Sequence, residues 1–587
     1  MSSTQPDRPG RRDESIRRLL AVARGDEPAD LLFVNARVVN VLTGEVEPAA
    51  VAVAEGRIAG LGPWYRGREV VDLGGRFLAP GLIEAHVHLE SSLLRPREFA
   101  RHLAARGVTT AVMNPHEIAN VCGAPGVRYL LEESEGAPAD LLVTLPSCVP
   151  ATDLATSGAE LGLPELRALR ERPRVVGLGE VMDVAGAVTG ARRILDEMAL
   201  FPGGVVDGHA PGVSGPTLNA YVALGPATDH ECSDPGEARE KLRRGMAVLI
   251  REGSAARNLE ALLPLVTERT ERRMALCTDD LSPANLAGRG GVDHALRRAI
   301  ALGVEPLTAL RLATLNPAEI YGLRDRGAVA PGRRADLIVL QDLGAPVADA
   351  VYHCGRLVAR DGRPLEPGTG LPPIPPEVLG TVRVAWDRVD LAVPARGRTI
   401  RAIRAVPGQI VTGQARVEAR VAGDVAQADP ERDLAKLAVI ERHQGSGRVG
   451  LGFVCGTGLR KGALASTVAH DHHNLIVLGA DDASMLTAAR AVAETGGGMA
   501  VAAGDAVLAR LPLPVAGLLS DRPLEEVVRC ENALNRAARE LGVTLPEPFW
   551  ALSFFGLEVV PELKLTDRGL VDVARMRIVP LFAEEGR

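Results

Sequence analysis

Aromatic side chains are scarce, at 3% of 587 residues, although 46% of the chain is hydrophobic. Its cores must be built from Ala, Val and Leu, and that apolar share is one of a globular protein rather than a disordered chain. Long hydrophobic runs are missing as well: no stretch approaches the roughly 18 apolar residues of a membrane-spanning helix, so no membrane partner is expected. Basic charge is not in excess. A net charge of -7 leaves no positive field for nucleic acid, and small-molecule chemistry becomes the default. The seven cysteines are an odd number, scattered from Cys122 to Cys530 without a Cys-x-x-Cys pair. That pattern argues for a reducing cytoplasm and against both a disulfide framework and a thiolate zinc site. The Arg-containing N-terminus is interrupted by Asp7, Asp13 and Glu14 and lacks an apolar signal core. It reads as an arm, residues 1–24, leading into a short helix.

What is present alternates in texture. Residues 25–80 hold short Val- and Ile-rich runs broken by Gly, Asn and Pro, the mark of a small β unit. From 81 to 325, short apolar runs alternate with helical segments. The first run ends in His86-Val87-His88 and is followed by a helical pattern in which Pro96 suits the first turn, Gly107 the C-terminal cap, and Phe99 and Leu103 one buried face. Seven further runs end in polar residues, within "VTTAVMNPHE", "DLLVTLPSCVPAT", "VVGLGEVMD", "VVDGHAPG", "ATDHE", "MAVLIREGS" and "MALCTDD". Eight strands with reactive residue types at their C-terminal ends predict a (β/α)8 TIM-like barrel with its site on that face; an open doubly wound sheet is the alternative. "GVEPLTALRLATLNPAEIYGL" predicts a last amphipathic helix. Residues 326–365 return to β character and are expected to complete the sheet begun near residue 30. A Pro- and Gly-rich linker then leads to a C-terminal α/β domain, 380–587. The expected class is α/β: a barrel flanked by a small composite β domain, with a further α/β domain.

Alternate strand residues point the same way, so His86 and His88 can reach one metal ion together. Alone, a His-x-His pair is weak evidence. It gains weight because Glu180, His209, His230 and Asp279 recur at successive strand ends. Four imidazoles and two carboxylates can hold two divalent ions, with a carboxylate and a water bridging them. Mixed N/O ligation suits Mn(II), Fe(II), Zn(II) or Co(II) and does not choose among them.

These motifs, with "HVHLESS", "NPHEIANV", "DHECSD", "IREGSAARN", "APGRRADLIVL", "AHDHHNLIVLG" and "PELKLTDRGL", resemble the metal-dependent amidohydrolases and, more narrowly, the bacterial adenine deaminase family. The likeness runs from about residue 25 through almost the whole chain. It implies that His86, His88 and Asp279 bind one metal, His209 and His230 the other, and that Glu180 bridges them. Two divalent ions, Mn(2+) or Fe(2+) first and Zn(2+) next, would supply a metal-activated hydroxide that attacks C6 of adenine. Hypoxanthine and ammonia would be the products. Asp279 would accept the water's proton and pass it toward the leaving ammonia, with His230 and Glu231 assisting. A cytoplasmic homo-oligomer, a dimer by preference, is expected. Two positions depart from the family pattern: Asn114 stands where an aspartate is expected and Asp183 where an asparagine is.

Other candidates have plainer readings beside the functional ones. His116 and Glu117 suit substrate contact or support of the ligands, against a solvated loop. Arg251, Glu252 and Ser254 suit a polar wall for the base, against a helix-capping salt bridge. Asp280 replaces Asp279 as ligand if the register slips by one. His470, Asp471, His472 and His473 suit a lid over the barrel mouth, a separate metal site or a solvated turn. Rival functions are cyclic amide hydrolysis of the hydantoinase or dihydroorotase kind, and a catalytically silent scaffold. A cytidine-deaminase-type zinc site lacks its Pro-Cys-x-x-Cys partner.

Overall fold

The computed structural model describes residues 9–365 and 371–583. The start of the expected arm, residues 1–8, and part of the expected linker, 366–370, lie outside them. The arm becomes helical at once, over Pro9–Ala23.

Two segments far apart in sequence build one sheet. Ala29–Asn40 pairs antiparallel with Glu45–Ala54 and parallel with Phe77–Pro80. Phe77–Pro80 then pairs antiparallel with Leu337–Leu340, Leu337 facing Pro80 and Leu340 facing Phe77. The chain leaves this sheet at Gly81, makes the barrel, and comes back to it.

The barrel strands are β1 (Leu82–His88), β2 (Val108–Met113), β3 (Asp140–Pro146), β4 (Val175–Val181), β5 (Val205–Gly208), β6 (Thr228–Asp229), β7 (Ala247–Arg251) and β8 (Met274–Cys277). They are the eight runs expected. Ladders join β1 through β5 and β6 through β8 in parallel. Closure comes from Asp279 and Asp280, which pair with Val87 and His88 of β1, and from the Ala227 amide donating to the Val206 carbonyl. At that second seam a Cβ on Gly208 would lie 2.3 Å from the Thr228 carbonyl oxygen, so only glycine lets β5 approach β6.

Helices follow the strands. Pro96–Ala105 begins at Pro96 and buries Phe99 and Leu103 against the barrel; Gly107 then turns the chain at φ +89°. The expected last helix is instead two, Pro306–Leu312 and Leu315–Ile320. Pro317 has no amide to bond the carbonyl four residues back, and its ring crowds that carbonyl, so the helix must restart.

The C-terminal half centres on an eight-stranded sheet from Thr399–Arg404 to Ala506–Pro512, mostly antiparallel, with the helix Asp482–Glu494 packed on it. It is docked on the barrel through buried polar ties as well as apolar packing. Asp567 accepts from the Thr156 amide at 2.8 Å and hydroxyl at 2.6 Å, and Asn474 Nδ2 donates to the Thr156 carbonyl at 2.8 Å.

Candidate active site at the barrel mouth

β1 is buried along its whole length, and its alternation puts Glu84, His86 and His88 on the inner face. Glu84 lies deepest and ties β1 to the end of β8, accepting from the Thr278 amide and hydroxyl, each at 2.9 Å. Burial raises its pKa to about 7. Above it, His86 Nε2 stands 2.9 Å and His88 Nε2 3.2 Å from the same oxygen, Glu180 Oε1. His230 Nε2 approaches that oxygen at 3.4 Å from β6. One carboxylate oxygen therefore faces three imidazoles.

The ligand-type atoms gather in two overlapping groups, His86, His88, Glu180 and Asp279 in one, Glu180, His209 and His230 in the other. Glu180 is common to both. Asp279 Oδ1 is 2.9 Å from His88 Nε2. Glu180 and Asp279 have φ of +26° and +61°, left-handed conformations that non-glycine residues seldom adopt. Such strain at strand ends is characteristic of functional positions, because the surrounding structure must hold it.

The outer nitrogens of the first pair are anchored. His86 Nδ1 lies 2.7 Å from Asp207 Oδ2, and His88 Nδ1 2.9 Å from the Asn114 carbonyl. Each anchor turns the ring's other nitrogen inward and selects its tautomer. Asp207 also accepts from the Thr228 hydroxyl. Asp207 has a sequence signal, since it is two residues before His209 in β5 and shares its alternation, but nothing local pairs it with His86.

Burial works against ionisation of Glu180 and Asp279, yet at these two positive neighbours prevail. His88, His86 and His116 hold Glu180 well below its usual range, and Arg251 with His88 does the same for Asp279. Burial opposes charge on His86, but Asp207 and Glu180 bring its pKa up to about 10. The cavity is a place where anionic oxygens demand positive charge, as a metal site does.

The remaining candidates fall into two sets. A cavity of about 310 Å³ is lined by His116, Glu117, Glu231, Arg251 and Asp280 together with the ligand-type residues. Arg251 Nη1 is shared between Asp279 and Glu231, 2.6 Å from the latter. Asp280 accepts from the Ser91 hydroxyl at 2.5 Å. His116 Nδ1 is 3.6 Å from Glu180 Oε2. Glu252 and Ser254, by contrast, do not reach the cavity. Glu252 follows Arg251 and points to the opposite face, 3.5 Å from Arg298; Ser254 Oγ accepts from the Ser282 amide and Asn285 Nδ2. The two positions expected to depart from the family pattern act locally. Asp183 caps the helix Val184–Thr189 by accepting from the Gly186 amide, and Asn114 acts through its carbonyl.

The segment His470 to His473 is neither solvated nor separate. All four residues are buried, and His470 and Asp471 line the same cavity as the barrel ligands. His470 Nδ1 is 2.6 Å from Glu117 Oε1, His473 Nε2 contacts the other Glu117 oxygen, and the His470 ring stacks on Phe554 at 4.7 Å. The C-terminal half thus closes the barrel mouth.

Comparison with known proteins gives the family of both parts of the chain. Residues 77–358 match the amidohydrolase family, and residues 409–577 the adenine deaminase C-terminal domain. Adenine deaminase of Desulfatibacillum aliphaticivorans is 47% identical over 572 residues, 96% of this chain and 99% of that protein. Adenine deaminase of Cereibacter sphaeroides is 47% identical over 567 residues, 96% of this chain and 100% of that one. The chain belongs to the adenine deaminase family.

Membership in the amidohydrolases implies a divalent metal, and this family member's residues fit one. Glu180 Oε1, His209 Nδ1 and His230 Nδ1 are buried without hydrogen-bond partners, and the donor set is four imidazoles with two carboxylates. Among the described residues, no helix is long and apolar enough to cross a membrane.

Proposed function

We propose that the chain hydrolyses adenine to hypoxanthine and ammonia at the barrel mouth, with His86, His88 and Asp279 holding one divalent ion, His209 and His230 a second, and Glu180 shared between them. The observation that carries the reading is the single oxygen Glu180 Oε1 facing His86, His88 and His230, which come from two different strands of the barrel. Glutamate needs no carbon dioxide modification to bridge.

Divalent ions bound by these residues would supply Lewis-acid activation of a water at neutral pH. The chain's own residues do the rest. Asp279 takes one proton of the attacking water as the C6–O bond forms and the water's other proton passes to ring N1; Asp279 then delivers its proton to the amine, which leaves as ammonia when the C6–N bond breaks. Arg251, paired with Asp279 and Glu231, holds both carboxylates in place and favours the ionised form of Asp279. His230 and Glu231 assist at the same rim. Residues 81–325 carry the chemistry in this reading, 25–80 with 326–365 brace the barrel base, and 380–587 cover the substrate and exclude water. Mn(II) and Fe(II) are the first candidates for the metal and Zn(II) the next.

The test is ammonia release from adenine by protein of measured metal content, with hydantoin and dihydroorotate as controls. Metal-dependent release from adenine alone is expected. Turnover of the cyclic amides without adenine turnover would overturn the assignment.

A further inference from the structure

The cavity is built by both halves of the chain. Opposite the ligand-type residues stand His470 and Asp471, with Ile410, Phe554 and Val560 from the same half. At about 310 Å³ it is at the small end for ligand sites, a size that suits a bare base better than a nucleoside.

Its carboxylates differ in one respect. Glu180 is engaged by His86 and His88, Asp279 by His88 and Arg251, and Glu231 by Arg251. Asp280 accepts from Ser91, and Glu117 faces His470 and His473. Glu180 Oε1 and Glu117 Oε2, although they lack a formal hydrogen bond, each face an imidazole nitrogen closely, whereas Asp471 is met by a cation no nearer than 3.6 Å among the described residues. Its Oδ1 is 3.6 Å from His116 Nε2, while Oδ2 is buried with no hydrogen-bond partner; the residue is 4% exposed. A buried carboxylate oxygen left unpaired is costly and calls for a donor. None is supplied by the described residues. His116 spans the gap between this carboxylate and the reacting end, its Nδ1 3.6 Å from Glu180 Oε2, so Asp471 stands one imidazole ring beyond the ligands.

Free adenine brings the missing donor. Its five-membered ring carries an N–H, on N7 or N9, which a nucleoside or any 9-alkylpurine lacks. We propose that Asp471, delivered by the C-terminal half, accepts this N–H and is the residue by which the enzyme selects the free base over N9-substituted purines. This rests on the barrel mouth being where adenine reacts. A site built to bond a substrate N–H rejects the analogue without it, because the protein group is left unpaired.

The experiment compares adenine with 9-methyladenine as substrates, and hypoxanthine with 9-methylhypoxanthine as competitive inhibitors, for the unaltered enzyme and Asp471→Ala. One hydrogen bond to a charged group corresponds to a factor of about 10 to 100. Asp471→Ala should lose that factor for adenine and hypoxanthine, mainly in KM and Ki. The 9-methyl compounds should change by less than about 3-fold, so that the preference collapses. Asp471→Asn, which keeps the shape and a neutral acceptor, should fall between and serves if the alanine variant does not fold. Equal losses for both members of a pair would overturn the proposal, since Asp471 would then act only through His116. Unchanged selectivity would also overturn it. Glu180→Gln separates the two levels: if that variant still turned over adenine, the barrel-mouth site itself would fall. If it were dead while Asp471→Ala kept its selectivity, only this inference would.

Discussion

Asp207 Oδ2 lies 2.7 Å from His86 Nδ1, with both side chains buried at 0% and 1% exposure. A carboxylate behind an imidazole raises its basicity and locks the tautomer that leaves Nε2 free to ligate. Asp207→Asn should lower metal affinity by about 10- to 100-fold while the barrel stays folded. Metal retained after dialysis against a graded chelator series measures this, and undiminished affinity would remove the anchoring role.

In the proposed reading Glu180 serves two ions at once, so its loss should exceed the 10- to 100-fold expected of an outer partner. Glu180→Gln should lose metal and turnover together with its circular dichroism unchanged. Binding to the native state alone stabilises it, so added Mn(II) should raise the melting temperature of the unaltered apoprotein and leave the variant's where it was. A fully metallated, active variant would rule out the bridge.

Arg251 holds Asp279 ionised against the cost of burial. A carboxylate with a depressed pKa is competent above that pKa and fails as pH falls through it. Arg251→Met should therefore move the acidic limb of kcat/KM to higher pH, besides destabilising the fold by up to about 3 kcal/mol, because the buried Asp279 loses its guanidinium while keeping His88. An acidic limb that does not move would show that Asp279 is not the group titrating there.

Glu117 ties the C-terminal half down through His470 and His473. Burial opposes charge on His470, but Glu117 raises its pKa to about 9. Because the folded value lies above the unfolded one of about 6.5, this pair's stabilisation is complete below about 6.5 and disappears as pH rises through about 9. The difference in urea midpoint between the unaltered chain and Glu117→Gln should accordingly be largest near pH 6 and vanish above pH 9. A constant difference across that range would point to packing rather than charge.

The sequence made the barrel and the inner corner of its site readable because both depend on local periodicity. Strand alternation places His86 and His88 on one face whatever their neighbours are, and a run of apolar residues ending in a polar one declares a barrel strand and its active end. The same rule, applied to Arg251 and Glu252, separates the residue facing the cavity from the one facing Arg298. The helix break before Pro317 also has a local cause, the missing amide.

What sequence order could not convey is how distant pieces meet. Asp207 and His86 are 121 residues apart, and their bond exists only because β1 and β5 face each other across a closed barrel. His470 to His473 sit on a turn whose composition suits solvent, and only docking of the C-terminal half buries them against Glu117 and beside His116. The chain by itself determined the donors and the strand ends that present them, since side-chain chemistry and backbone alternation are properties of neighbours. Tertiary structure alone decided which nitrogen faces inward and which carboxylate stays unpaired, because those depend on contacts that form when remote segments close on one another.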